Sequence, residues 1–179
     1  MPTLRLATIA DIPAMQALIA SSAIDLSVSF YTPSQAQAML QYVFGVDTQL
    51  LADQTYFLIE ENEKMLACGG WSRRKTLFGG DQAKHGEDSL LDPATDAARI
   101  RAFFVAPFAA RLGLGSMLLK HCTEQAQAAG FHTLELVATM PGIPLYRARG
   151  FIELEQFDLH LPDGIDAPVC RMQKKLMVA

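Results

Sequence analysis

Phe104-Val105-Ala106-Pro107, followed by Ala110-Arg111-Leu112-Gly113-Leu114-Gly115-Ser116, is the stretch that decides how this chain folds. It closes a run from Ala98 to Val105 in which Ile100 and Phe103-Phe104-Val105 are almost continuously apolar, the pattern of a strand buried on both faces. Pro107 has no N–H to give to a sheet and ends it. Beyond the turn, Leu114, Met117, Leu118 and Cys122 recur at helical spacing, the helix runs on to Ala129, and Gly130 supplies the favoured residue just past its end. A buried strand thus passes through a glycine turn into a helix. The first amides of a helix lack intrahelical partners and carry partial positive charge, and glycines keep Cβ atoms clear, so this geometry makes a site for an anion.

Phe131 to Ala138 reads as the next strand, and strand, helix, strand in this order implies a right-handed crossover with 98–105 and 131–138 as parallel neighbours. A short helix over Pro144 to Arg149 stops at Gly150, and Phe151 to Phe157 and Val169 to Leu176 supply two final antiparallel strands. Upstream, Tyr56 to Glu60, the polar turn Glu61-Asn62-Glu63-Lys64 and Met65 to Ser72 form a hairpin, with Gly69-Gly70 pointing to a bulge in its second strand. Thr3 to Ala7 is a strand. Asp11 then caps a helix that has Pro13 in its first turn and Ile12, Met15, Leu18 and Ile19 on one face, and Pro33-Ser34 open a second helix carrying Ala36, Met39, Leu40 and Val43. The segment from Arg74 to Asp96 shows no period, and loops of that length in a small domain are usually functional or mobile.

The glycine turn meets the demands of different phosphate cradles unequally. A Walker A loop needs a Gly-Lys pair, which occurs nowhere in the chain. The dinucleotide fingerprint needs a third glycine where Leu118 stands and an acidic residue where Ala138 and Thr139 stand. A lone Gly-x-Gly is more often a packing turn. What sets this one apart is a second element one strand further on, Leu145-Tyr146-Arg147-Ala148-Arg149-Gly150-Phe151. In Val105-Ala106-Pro107, Gly113, Gly115, Leu145-Tyr146 and Gly150-Phe151 the chain resembles the GCN5-related N-acetyltransferase (GNAT) family. That family's acetyl-CoA motif, Arg/Gln-x-x-Gly-x-Gly/Ala, follows a strand ending Val-x-Pro, and its later motif is Leu-Tyr-x-x-x-Gly-Phe. The opening Arg5, Ala7, Asp11, Ala14 and Leu18 resemble the family's first strand and helix, so the likeness covers nearly the whole chain.

The resemblance implies an α/β fold: a mixed, mostly antiparallel twisted sheet of about six to seven strands with a central parallel pair, flanked by about four helices, as a single domain over 1–179. It implies acetyl-CoA as co-substrate and no metal. The pantetheine arm would lie between the two splayed parallel strands against the backbone of Phe103, Phe104 and Val105, and the diphosphate on Ala110, Arg111, Leu112, Gly113, Leu114, Gly115 and Ser116. Thr139 would replace an asparagine that commonly contacts pantetheine, and Arg149 or Arg111 would make the phosphate contact that Ala110 cannot. Tyr146 would be the acid that protonates the leaving thiolate. Arg99 and Arg101 stand where a catalytic glutamate sometimes lies, so no general base is assigned. Phe30, Tyr31 and Trp71 are candidates for the acceptor pocket. The activity implied is acetyl transfer to an amine of a small molecule or peptide; a non-catalytic acetyl-CoA or nucleotide sensor is the alternative. A homodimer is compatible, being common in the family.

Composition narrows the partners. Half of the 179 residues are hydrophobic and 19% are charged, a globular balance. The net charge of −4 gives no cationic field for nucleic acid, although Arg73, Arg74, Lys75, Arg99, Arg101, Arg111, Arg147 and Arg149 cluster enough to form a local patch. Cys68, Cys122 and Cys170 are scattered among apolar neighbours and read as reduced, buried thiols; His85, His121, His132 and His160 lack zinc-ligand spacing. Asp11 and Pro13 interrupt the apolar start, so neither a signal segment nor a membrane span is expected, and the expected compartment is the cytoplasm.

Overall fold

A computed structural model describes residues 1–177. Seven strands, β1 (Thr3–Leu6), β2 (Tyr56–Glu61), β3 (Lys64–Ser72), β4 (Ala98–Val105), β5 (Thr133–Thr139), β6 (Ile152–Leu161) and β7 (Ile165–Lys175), form one sheet in the order β1-β2-β3-β4-β5-β7-β6. Every neighbouring pair is antiparallel except β4 and β5. Five helices accompany it: α1 (Ile12–Asp25), α2 (Pro33–Tyr42), α3 (Thr48–Ala52), α4 (Leu114–Ala128) and α5 (Ile143–Ala148). The expected mixed sheet with a central parallel pair is what forms. No helix among the described residues is long and apolar enough to cross a membrane.

Local chemistry accounts for the joints. Asn62 and Glu63 both have positive φ, 51° and 61°, so the β2–β3 hairpin closes through a two-residue turn whose twist matches its strands. The Asp11 carboxylate accepts the Thr8 amide at 2.8 Å and clasps Arg5, which also reaches Glu60, so the first helical turns are tied to β1 and β2. Thr32 and Gln35 cap α2 reciprocally, the Thr32 hydroxyl accepting the Gln35 amide at 3.1 Å and the Gln35 side chain accepting the Thr32 amide at 2.9 Å.

The sheet divides the molecule into two apolar layers. On one face Phe57 packs on His121 of α4 and Trp71 on Phe131, with ring centroids 4.4 and 6.1 Å apart. On the other, Phe44, just past α2, meets Phe104 edge-on at 5.5 Å. Phe103 points the opposite way to Phe104, toward Tyr146 of α5 at 6.3 Å. Thus α4 and α5 lie on one face, α1 and α2 on the other. Cys68, Cys122 and Cys170 are free and buried, as expected; burial pushes the Cys68 thiol up to about 12.

Three details depart from the sequence reading. The bulge signalled by Gly69-Gly70 belongs to β4: Ala102 and Phe103 together oppose Gly69, and Ala102 takes a positive φ of 55°. Gly69 makes room for it, since a Cβ there would stand 2.5 Å from the Phe103 ring. The final strands run longer than expected, 152–161 and 165–175, around a turn at Asp163 and Gly164. The segment after β3 is held down by charge. Arg74 pairs with Asp53 at 2.7 Å, and buried Asp47 receives both Arg101 at 2.8 Å and Lys84 at 2.7 Å.

Candidate active site

The parallel pair β4–β5 is in register for two residue pairs, Ala98 with Leu134 and Arg99 with Glu135. Beyond them the strands separate and the sheet opens. The gap leads into a cavity of about 770 Å³ that reaches both faces, with walls from α4 and α5 on one side and from the ends of α1 and α2 on the other.

At the α4 side the chain leaves β4 through a 3-10 turn, Pro107–Ala109, and a loop with two left-handed residues, Arg111 at φ 63° and Gly113 at φ 80°. The Ala110 amide donates to Pro107, and the next amide with a backbone acceptor is that of Met117, which donates to Gly113. Among the described residues the six amides from Arg111 to Ser116 have no backbone acceptor, and five of the residues that carry them, Arg111 and Gly113 to Ser116, line the cavity. Such an array of bare N–H groups at the start of a four-turn helix is an anion nest. The two glycines work differently. A Cβ on Gly113 would meet nothing within 4 Å, so the residue is there for its backbone angle and leaves open space; a Cβ on Gly115 would press on Leu145 at 2.9 Å, so that glycine lets α4 and α5 approach.

Ser116 and Arg149 meet at this mouth, Nε donating to Oγ at 3.1 Å. Of the basic cluster noted in the sequence, Arg74, Arg99, Arg101 and Arg147 are spent on Asp53, Glu135, Asp47 and Glu153. Arg73 lies over the Trp71 ring, whereas Arg111 lines the cavity and Arg149 stands beside it on Ser116.

Along β4 the Ala106 amide donates to Leu66 at 2.8 Å, so by the alternation of an extended strand the Val105 amide points the other way, into the gap. Tyr146 stands across from it on α5, packed between Phe103 and Phe151. Burial, and next the nearby Cys122 thiol, raise its phenol well above the usual range, so it stays protonated.

The structure brings Phe103, Phe104, Val105, Ala110, Arg111, Gly113, Leu114, Gly115, Ser116, Thr139 and Tyr146 to this one cavity. Leu112 instead points outward and is 69% exposed. The aromatic trio expected at the acceptor pocket is split. Phe30 lines the cavity. Trp71 is buried under α4 against Phe131, because its place in β3 faces that helix. Tyr31 is engaged in a bracket: its hydroxyl donates to the Pro168 carbonyl at 2.6 Å and accepts the Met140 amide at 2.9 Å, joining the α1–α2 connection to β7 and the end of β5. Sequence reasoning missed Phe44, Leu77 and Phe78, which complete the wall on the α1–α2 side. The last two sit in the segment without periodicity, and their apolar character amid charge and glycine was the available signal.

Residues 20–151 match the model of the acetyltransferase (GNAT) family. Among solved structures, a GCN5-related N-acetyltransferase from Rhodopseudomonas palustris superposes with a TM-score of 0.73 at 17% identity, covering 98% of this chain and 96% of that one. PaiA N-acetyltransferase from Thermoplasma acidophilum, in complex with coenzyme A, gives 0.66 at 12% identity over 98% and 99%. The ribosomal-protein-S18-alanine N-acetyltransferase of Escherichia coli gives 0.61 at 20% over 100% and 96%. At these identities the likeness is one of fold. Among curated proteins, none matches the sequence significantly.

Proposed function

The chain belongs to the acetyltransferase (GNAT) family, and from that membership we propose that it moves an acetyl group from acetyl-CoA to an amine by direct attack on the thioester. The observation that carries the reading is the opened β4–β5 gap with a nest of unpaired amides at its mouth. A diphosphate fits the amides of 111–116, with Arg111 and Arg149 beside them. A pantetheine arm, itself a chain of amides, fits the strand edges that the separation leaves without partners. The Thermoplasma relative, solved with coenzyme A, supports coenzyme A as the kind of ligand.

Acyl transfer then needs a donor for the developing oxyanion and a proton for the departing sulfur. The Val105 amide supplies the first, an interaction worth ~3 kcal/mol in such sites. Tyr146 supplies the second: its phenol is held protonated by burial, and the same desolvation makes a thiolate formed beside it more basic, so that the sulfur draws the proton. Thermal-shift titration with CoA tests the site: at a hundredfold excess over Kd, stabilisation of ~2.7 kcal/mol is expected. No shift refutes the reading. Release of free thiol in the presence of an amine separates an enzyme from a domain that merely senses acetyl-CoA.

A further inference from the structure

The acceptor side of the cavity is the α1–α2 face, and its chemistry is unusually uniform. Leu26 and Phe30 close it from the end of α1, Phe44 and Phe104 from below, and Leu77 and Phe78 from the segment after β3. Ser22, Ser27 and Thr139 are its hydroxyl-bearing residues. Among the described residues no aspartate, glutamate or histidine lines any part of the cavity. Arg101 does, but its guanidinium is consumed: it donates to Asp47 at 2.8 Å, to the Gly79 carbonyl at 2.5 Å and to the Thr76 carbonyl at 3.3 Å. Asp47 is itself held by Lys84 as well, and Glu135, on the same face of the sheet, by Arg99 and Arg171.

An alkylammonium ion entering such a lobe sheds its hydration without gaining a counter-ion, and no side chain there takes its proton. A carboxylate-bearing acceptor fares no better, because Arg101 answers it only by abandoning Asp47. An amine that is already neutral near pH 7 arrives as the nucleophile and needs no base. Four phenylalanine rings with two leucines suit a flat or branched apolar body.

Resting on the acetyltransferase reading, we propose that the acceptor is a compact, weakly basic primary amine on an uncharged apolar body, an arylamine in the simplest case. The nitrogen lone pair forms the C–N bond to the acetyl carbon and the C–S bond breaks. The sulfur takes the Tyr146 proton, and the nitrogen releases one proton through water to restore the phenol. The sum is amine plus acetyl-CoA giving N-acetyl amine plus CoA thiol.

The test is an acceptor panel with the full chain and saturating acetyl-CoA, read by thiol release and by product mass, with 4-methylaniline, benzylamine, spermidine, lysine and glutamate. The arylamine is expected to exceed spermidine, lysine and glutamate in kcat/KM by at least about tenfold at neutral pH. Its rate is expected to stay flat near neutrality, while that of benzylamine, apolar but basic, climbs about tenfold per pH unit with its free base. Phe30→Glu, at a half-exposed position that tolerates the change, places a carboxylate in the lobe. It is expected to lower arylamine kcat/KM at least about tenfold while leaving the CoA thermal shift intact. Preference for a cationic or acidic acceptor, CoA binding without arylamine turnover, or an unchanged rate in Phe30→Glu each overturns the proposal and leaves the acetyltransferase reading standing. Absence of the CoA shift brings down both.

Discussion

At Gly113 the backbone sits at φ 80° with open space where a side chain would go. Gly113→Ala therefore costs stability through its backbone angle alone, about 1–2 kcal/mol, measurable by urea unfolding. Its Cβ also enters the space assigned to the diphosphate, so CoA affinity is expected to fall at least about tenfold; unchanged affinity would place the diphosphate elsewhere. Tyr146 has the opposite character, packed by rings and free to act through its hydroxyl. Tyr146→Phe is expected to lower kcat by roughly 10²–10⁴ with CoA binding retained. Because burial raises the phenol, the donor form persists as pH rises and is lost only above the ordinary phenol range, so the alkaline fall of kcat should lie beyond that of free tyrosine. Acid acts at Asp11, whose carboxyl is lowered from 3.8 to about 2, chiefly by its hydrogen bonds with Arg5. A depressed carboxyl contributes stability that is complete above its unfolded value and lost as pH falls through its folded one. Unfolding midpoints should therefore drop between about pH 4 and pH 2, and less so in Asp11→Asn.

Among the elements, the segment between β3 and β4 depends on one buried carboxylate. Asp47 caps α3 by accepting the Gln49 amide at 2.9 Å, and it neutralises Arg101, which is 2% exposed. Asp47→Ala strands that guanidinium and is expected to cost about 3–5 kcal/mol, with faster amide exchange through 74–90. Arg101→Met is expected to cost less, because Lys84 still balances Asp47. How far these elements were legible follows from the range of the forces that make them. Pro107, Gly113 and Gly130 act on their own backbone, so the strand end, the turn and the close of α4 were readable. Asp47 and Arg101 are 54 residues apart, and nothing local marks them as partners. The five-residue α3 is too short to show a period. β6 alternates apolar and polar residues, but the alternation slips by one at the bulge between Glu153 and Glu155, so Ile152 and Leu154 do not keep phase with Phe157, Leu159 and Leu161, which hid its length. Gly69-Gly70 signalled a bulge correctly but could not say that the extra residue would sit in the strand opposite.

Across the molecule, residues from Ser22 to Val169 assemble the cavity from most of the length of the chain, so the site was legible where motifs carry it and hidden where distant side chains merely converge. The nest, the strand edge and Tyr146 belong to the first kind. Phe44, Leu77 and Phe78 belong to the second. Since the sheet is breached between β4 and β5, its two faces communicate through the molecule. A protein with such a passage has two doorways. On the proposed reaction a nucleotide-tailed donor admitted at one and an acceptor at the other would not queue for the same threshold, so both would reside at once and neither would have to leave before the next arrives. Steady-state plots of rate against the two reactants should then give intersecting lines, with the spent thiol competing against its own parent and not against the acceptor.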